Sequence, residues 1–294
     1  MIRIFEYTSD TDTVNIREFL LRHDYSKRCL SFLKETGGVF LNGQPCRLTE
    51  RLKLNDSIRV VFNETDDNEK VVDTDIPLDI VYEDQDIIVV NKPAYLPVHP
   101  SYENYDRTLA NALSYYYHSK NETYINRCIT RLDGDTSGFV LLARNPYSSA
   151  ILSKMMREHK IRKQYTAIVS GNFTETDGTV NKPIYRPSPD RIERAVAQDG
   201  KGHESITIYH VEKQIPGASL LKINTLTGRT HQIRVHMAYI GHPLLGDKLY
   251  NPVADTMERQ CLHVNMLSFP QPVTGEMMVF ESQLPEDMKK TGLT

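Results

Sequence analysis

The chain has 294 residues, with 35 Lys and Arg against 38 Asp and Glu, for a net charge of −3. That length fits one large domain, or a large domain plus a small one, and 39% hydrophobic residues supply a real core. No run approaches the roughly 20 apolar residues of a membrane span, and the start, MIRIFEYTSD, lacks a charged-then-apolar leader pattern. Cys29, Cys46, Cys128 and Cys261 lie far apart, with no CxxC and no paired His spacing. This argues against a zinc site or a disulfide framework and fits free thiols in a reducing cytoplasm.

From Thr13, the segment TVNIREFLLRH offers an N-cap followed by Ile16, Phe19 and Leu20 at helical spacing. A second helix is predicted through SKRCLSFLKET, with Ser26 as cap and Gly37 as a left-handed stop. It turns Leu30 and Leu33 to one face and Lys27, Arg28 and Lys34 to solvent. The strand VFLNG, a turn at Asn42-Gly43 and a strand near SIRVVF follow.

Residues 64–86 then hold ten acids and one base, which leaves 34 bases against 28 acids elsewhere, a remainder of +6. The whole-chain charge therefore says little about a nucleic-acid partner. The acidic run reads as a solvated linker over 64–75, dividing a module at 1–63 from a domain at 76–294.

Beyond it, IVYEDQDIIVVN reads as two strands around an acidic turn, and KPAYLPVHPS as an extended, proline-held loop containing His99. A helix is predicted around TLANALSYYYH, a strand at GFVLLARN, and a helix with a basic end over SSAILSKMMREHKIRK. The strands QYTAIVSG and SLLKINTLTG follow, and then a helix, THQIRVHMAYI, stopped by Gly241 and Pro243. No internal repeat and no regular βαβ alternation appear. Strands outnumber helices, so the fold class is α+β with a mixed, mainly antiparallel sheet.

Two stretches are denser in polar side chains than folding requires. In Arg131-Leu132-Asp133-Gly134-Asp135-Thr136-Ser137-Gly138, a carboxylate sits in a tight turn before a buried strand, although Asp in a turn often serves only its own backbone. In Thr227-Gly228-Arg229-Thr230-His231-Gln232-Ile233-Arg234-Val235-His236, two arginines and two histidines surround a strand-to-helix turn whose N–H groups favour anions. A buried arginine wants a carboxylate, and Asp133 is the candidate for Arg234.

Rival chemistries fare poorly. GDTSG is not a G-x-S-x-G elbow, and there is no P-loop, no G-x-G-x-x-G and no H-E-x-x-H. His231 and His236, five apart, face different ways and do not suit joint metal ligation. A sugar hydrolase would need a second carboxylate about 5–10 Å away, and Asp135 is too local. With no cofactor pattern and no metal site, side chains must do the chemistry alone.

The stretches "RLDGDTSGFVLLAR", "KPAYLPVHPS", "KQYTAIVSG" and "TGRTHQIRVHMAYIGHPLLGDKLY" resemble, in order and spacing from about Ile76 to Phe280, the RluA/RluD-type RNA pseudouridine synthases. Residues 13–62, through "GGVFLNGQP" and "RLKLNDSIRVVF", resemble the alpha-L RNA-binding module shared with a small-subunit ribosomal protein. The first resemblance implies a cytoplasmic isomerase, working as a monomer without metal or cofactor. It would convert uridine to pseudouridine in structured RNA, ribosomal (large-subunit) rather than transfer RNA. By residue, it implies Asp133 as the catalytic carboxylate, Tyr165 as the aromatic against the target base, and Arg234 as the basic partner of Asp133. Arg131 matches the arginine that enters the RNA stack, and Thr136, His99, Arg229, His231, Lys163 and Arg28 are expected to contact RNA. The family usually has His before Arg-Leu-Asp; this chain has Thr130, which weakens any role for a side chain there. A non-catalytic RNA-binding or ribosome-assembly factor on the same fold is the alternative.

Overall fold

A computed structural model describes residues 2–65, 71–198, 200–252 and 257–293. It begins with a strand that sequence spacing did not announce, β1 (Ile2–Thr8). Ile2 and Ile4 lie on its solvent face while Phe5 is buried on the other, so both faces carry apolar residues and the alternation is masked. Helices α1 (Ile16–Arg22) and α2 (Lys27–Thr36) follow. The cap of α1 is Asn15, not Thr13: its Oδ1 accepts the Glu18 N–H at 2.9 Å. Ser26 and Gly37 cap α2 as expected, with Gly37 at φ +65°. Strands β2 (Val39–Leu41), β3 (Gln44–Pro45) and β4 (Ser57–Asn63) complete an antiparallel sheet of order β1-β4-β2-β3. It packs on the two helices through Ile16, Phe19, Leu33, Ile58 and Phe62.

The rest of the chain forms β5 (Ile80–Glu83), β6 (Ile87–Lys92), α3 (Leu109–His118), β7 (Ser137–Ala143), α4 (Pro146–Arg157) and β8 (Arg162–Ser170). Next come β9 (Asp177–Asn181), the short β10 (Ile184–Tyr185) and β11 (Ala195–Val196), then β12 (Ile206–Ile215) and β13 (Ala218–Thr225). Helix α5 (Gln232–Tyr239), β14 (Leu262–Pro270), β15 (Met277–Glu281) and α6 (Glu286–Lys289) close it. Nine strands make one sheet, β5-β6-β7-β14-β8-β13-β12-β9, with β15 on β14. The β7–β14 pair is parallel and the other pairings are antiparallel. Every residue of β7 is buried because both faces are covered. Val140 and Leu142 pack toward α3, and Phe139 and Leu141 toward the core that holds Tyr165 and Ile233 of α5.

The acidic segment is not uniformly solvated. Glu64 is buried against Arg127, the Asn111 amide donates to Val72 O at 2.8 Å, and Thr74 Oγ1 donates to Asp106 O at 2.6 Å. Residues 66–70 of the proposed linker lie outside the described residues. The small sheet is also fixed elsewhere. The Arg3 guanidinium forks onto Asp86 at 3.0 and 2.8 Å, and Tyr147 of α4 packs its ring on Phe5 and Tyr25, with centroids 4.6 and 4.5 Å away.

Candidate active site

A cleft of about 920 Å³ opens over β8 and β13, bounded by the 130–136 turn, the end of α4, and the 227–234 segment. Its lining contains one carboxylate, Asp133, and six cations: Arg131, Arg157, Arg162, Lys163, Arg229 and Arg234. The balance of −3 over the chain thus conceals a strongly positive wall at this cleft.

The turn holding Asp133 is built from below. The Thr136 N–H donates to Asp133 O at 3.1 Å and closes it. Lys92, fully buried at the end of β6, donates Nζ to Pro93 O at 2.8 Å and to Gly134 O at 2.9 Å. Burial pushes its ammonium down to about 7, Asp135 opposing and Arg259 reinforcing that trend. Arg259, also buried, forks onto Asp287 at 2.6 and 3.0 Å and donates Nη1 to Asp135 O at 3.1 Å. Two buried basic side chains therefore grip consecutive carbonyls of the turn. Gly138, at φ +111°, lies so close to the Val264 backbone that a Cβ would collide with it, and this lets β7 pair there with β14.

Arg234 projects from α5 with little exposure. Its Nε and Nη2 bond Asp247 at 2.7 and 2.8 Å, and Nη1 bonds Asp133 Oδ2 at 3.1 Å. Burial works against its charge, but the Asp247 bonds and charge, with Asp133 behind them, hold it above the ordinary arginine value. The predicted Arg234–Asp133 contact is present, yet the fully buried partner is Asp247, which sequence reasoning passed over. Its signal was available: a buried guanidinium has donors for more than one carboxylate, and Asp247 is the acid within "GHPLLGDKLY".

Tyr165 lies on β8, between Ile223 of β13 and Val264 of β14, 7% exposed and lining the cleft beside Asp133 and Arg234. Lys163 Nζ stands 5.2 Å from its ring centroid. His231 Nε2 lies 3.8 Å from Asp133 Oδ2, and its Nδ1 is 2.9 Å from Tyr250 Oη. Burial pushes the His231 imidazole below its usual value, with Asp133 opposing and Arg234 and Arg194 assisting.

Helix α5 starts later than the sequence suggested. Its N-cap is His231 in a left-handed conformation (φ 58°) without a side-chain capping bond, and Thr230 does not cap it. Gln232 does the organising instead. Its Oε1 accepts from Thr227 Oγ1 and the Arg229 N–H, and its Nε2 donates to Ile206 O and Thr207 Oγ1. His236 is buried between Thr207 and Lys182 O, away from the cleft.

The structure brings Arg131, Asp133, Thr136, Lys163, Tyr165, Arg229, His231 and Arg234 to one cleft. Thr136 is buried in the turn, and Arg131 and Arg229 are exposed at the rim. His99 and Arg28 do not line it. His99 accepts from the Asn126 amide at 3.1 Å, and Arg28 is exposed on α2. The basic run 154–163 is divided as well: Lys154 pairs with Asp24 and Lys160 with Glu158, leaving Arg157, Arg162 and Lys163 at the cleft. Thr130 is buried, and its Oγ1 accepts the Leu141 N–H at 2.9 Å, so its side chain serves the edge of β7.

Residues 86–239 match the family model described as RNA pseudouridylate synthase. The chain belongs to the RNA pseudouridine synthase family. Members of this family are isomerases. The chain is 37% identical over 278 residues to an uncharacterized RNA pseudouridine synthase of Bacillus subtilis (strain 168), covering 94% of this chain and 98% of that one. It is 39% identical over 228 residues to the ribosomal large subunit pseudouridine synthase D of Zymomonas mobilis, covering 73% and 72%. Among solved structures it is similar to human RNA pseudouridylate synthase domain containing 1, with a TM-score of 0.61 and 27% identity over 72% of this chain and 85% of that one. The α+β, mainly antiparallel architecture is that of pseudouridine synthases. Among the described residues, no helix is long and apolar enough to cross a membrane, and no group of three His, Cys, Asp or Glu side chains is placed to hold a metal ion.

Proposed function

We propose that this pseudouridine synthase isomerises uridine in structured RNA, that the RNA is large-subunit ribosomal RNA of the cytoplasm, and that Asp133 is the catalytic carboxylate. The observation that carries this reading is the composition of the cleft. One carboxylate, held by Arg234, faces an aromatic ring inside a wall of cations. Relatives named for the ribosomal large subunit, such as that of Zymomonas mobilis, support the choice of RNA.

The chemistry follows from the geometry. A uridine in a helix or stacked loop hides its glycosidic bond, so it must be extruded at a cost of a few kcal/mol. Arg131, which is exposed at the rim, fills the gap left in the stack in this reading. Tyr165 offers the extruded base a face worth roughly 1–3 kcal/mol. Arg157, Arg162, Lys163 and Arg229 meet the backbone phosphates and set register. Asp133 is aimed by its turn and by Arg234 Nη1, so the carboxylate reaches the reacting nucleoside without reorganising. The residues 2–63, with the basic face of α2, act as an alpha-L-type RNA-gripping module.

The test is Asp133→Asn, compared with wild type on ribosomal RNA from cells lacking the protein. Pseudouridine formation is expected to vanish while folding and RNA binding persist. Undiminished modification by the variant would overturn the assignment, and an RNA-binding assembly role would then take its place.

A further inference from the structure

The reach of Tyr250 connects three parts of the site that the catalytic reading leaves separate. Its backbone N–H donates to Asp247 Oδ1 at 3.2 Å, the carboxylate that holds Arg234. Its ring lies 5.1 Å from the Arg234 guanidinium carbon. Its hydroxyl accepts the Arg194 N–H at 2.7 Å, from the segment that carries β10 and β11, and stands 2.9 Å from Nδ1 of His231.

A phenol has one proton. Its oxygen accepts from Arg194 and can still donate its hydrogen to His231 Nδ1, the ring nitrogen within reach to receive it. Burial keeps both groups in the forms this requires: it pushes the Tyr250 phenol up and the His231 imidazole down, so the phenol keeps its proton and the ring stays neutral. His231 is free for this task because, as the cap of α5, it spends no side-chain bond on the helix. Its other nitrogen, Nε2, faces Oδ2 of Asp133 at 3.8 Å, outside direct hydrogen-bond reach and beside the open cleft.

We infer that Tyr250 is a positioning residue of this site: its hydroxyl donates to Nδ1 of His231, fixes the imidazole proton on Nε2, and aims that N–H at the Asp133 edge of the cleft. The inference rests on the reading of Asp133 as the catalytic carboxylate. In it, His231 presents a hydrogen-bond donor to the oxygen of a nucleoside bound against Asp133, and Tyr250 decides which ring nitrogen carries the proton. The same hydroxyl ties the Arg194 segment to the cleft, so loop position and imidazole tautomer are set by one atom.

The experiment uses the full chain labelled with ¹⁵N-histidine at neutral pH, with the His231 signals assigned from their loss in His231→Gln. Two-bond ¹H–¹⁵N spectra are expected to show a bare Nδ1 and a protonated Nε2 at His231. Tyr250→Phe keeps the ring over Arg234 and removes the hydroxyl. In that variant His231 is expected to become a mixture of tautomers, with kcat down about tenfold, the worth of one hydrogen bond, and KM within about twofold. A protonated Nδ1 in the wild type, or unchanged His231 signals in Tyr250→Phe, would overturn the inference. So would an unchanged kcat. Wild-type protein that forms no pseudouridine on ribosomal RNA would instead overturn the catalytic reading, and the tautomer spectra are read independently of it. A structural defect in Tyr250→Phe would lower the melting temperature without mixing the tautomers, and that result also counts against the inference.

Discussion

Arg234 bonds two carboxylates, and the two are not equivalent. The Asp247 side chain is fully buried and takes two of its donors, whereas the Asp133 side chain keeps 25% of its surface and takes one. Asp247→Ala strands a buried guanidinium and is expected to cost about 3–5 kcal/mol in urea unfolding, with activity lost alongside. Asp133→Asn, by contrast, is expected to cost about 1 kcal/mol or less while removing activity. If the two variants unfold at the same denaturant concentration, the division between a structural and a reacting carboxylate fails. At this scale the sequence was legible where a motif concentrates polar groups in a short span, as around Asp133 and His231. It was opaque for Lys92 and Arg259, which act on partners 42 and 124 residues away. Spacing along a chain carries no information on contacts made at that distance.

At the level of elements, the turn before β7 owes its shape to β6, to the segment preceding β14 and to α6, not to its own residues alone. Lys92 is the critical member because its ammonium is buried on two carbonyls without a carboxylate in contact among the described residues. Its value falls from 10.5 in the open chain to about 7 in the fold, so between these pH values the unfolded chain binds more protons than the native one. Stability contributed through this group therefore rises with pH across that window. The unfolding free energy of wild type minus that of Lys92→Met is expected to increase from pH 7 to 10, by at most ~1.4 kcal/mol per pH unit. A flat difference would mean that Lys92 is not titrating in the fold. The caps at Ser26 and Gly37 were readable because each acts within a few residues. The strand β1 was not, because Ile2 and Ile4 place apolar side chains on its exposed face, and α5 was predicted too long because the left-handed His231 delays its first turn.

Across the whole molecule, charge and packing separate into two problems. The acids that set the net charge lie outside the cleft, so binding to RNA is expected to weaken steeply with salt despite a pI near 6.4. A plot of log affinity against log salt should have a slope of roughly −3 to −4, from about four phosphate contacts. A slope near zero would rule out the cationic wall as the RNA surface. Packing joins the small sheet to α4 through Tyr147, whose ring lies against both Phe5 and Tyr25. Tyr147→Ala is expected to lower stability by about 3 kcal/mol or more, or to split unfolding into two transitions as the small sheet separates. A single transition at the wild-type midpoint would show that the ring is not what joins them.

That attachment also fixes a length. Arg3 on β1 pairs with Asp86, Glu64 just after β4 with Arg127, and Asp24 between the two helices with Lys154 of α4, so three separate ion pairs hold residues 2–64 to the rest of the chain. The span from the basic face of α2 to Asp133 is then a constant of the folded chain, like the gap of a caliper. An RNA that touches both ends must present its phosphates and its target uridine at that separation. The freedom a tethered module would lose on binding is already given up when the chain folds, so a matching RNA is held without that loss and a mismatched one gains nothing from the second contact.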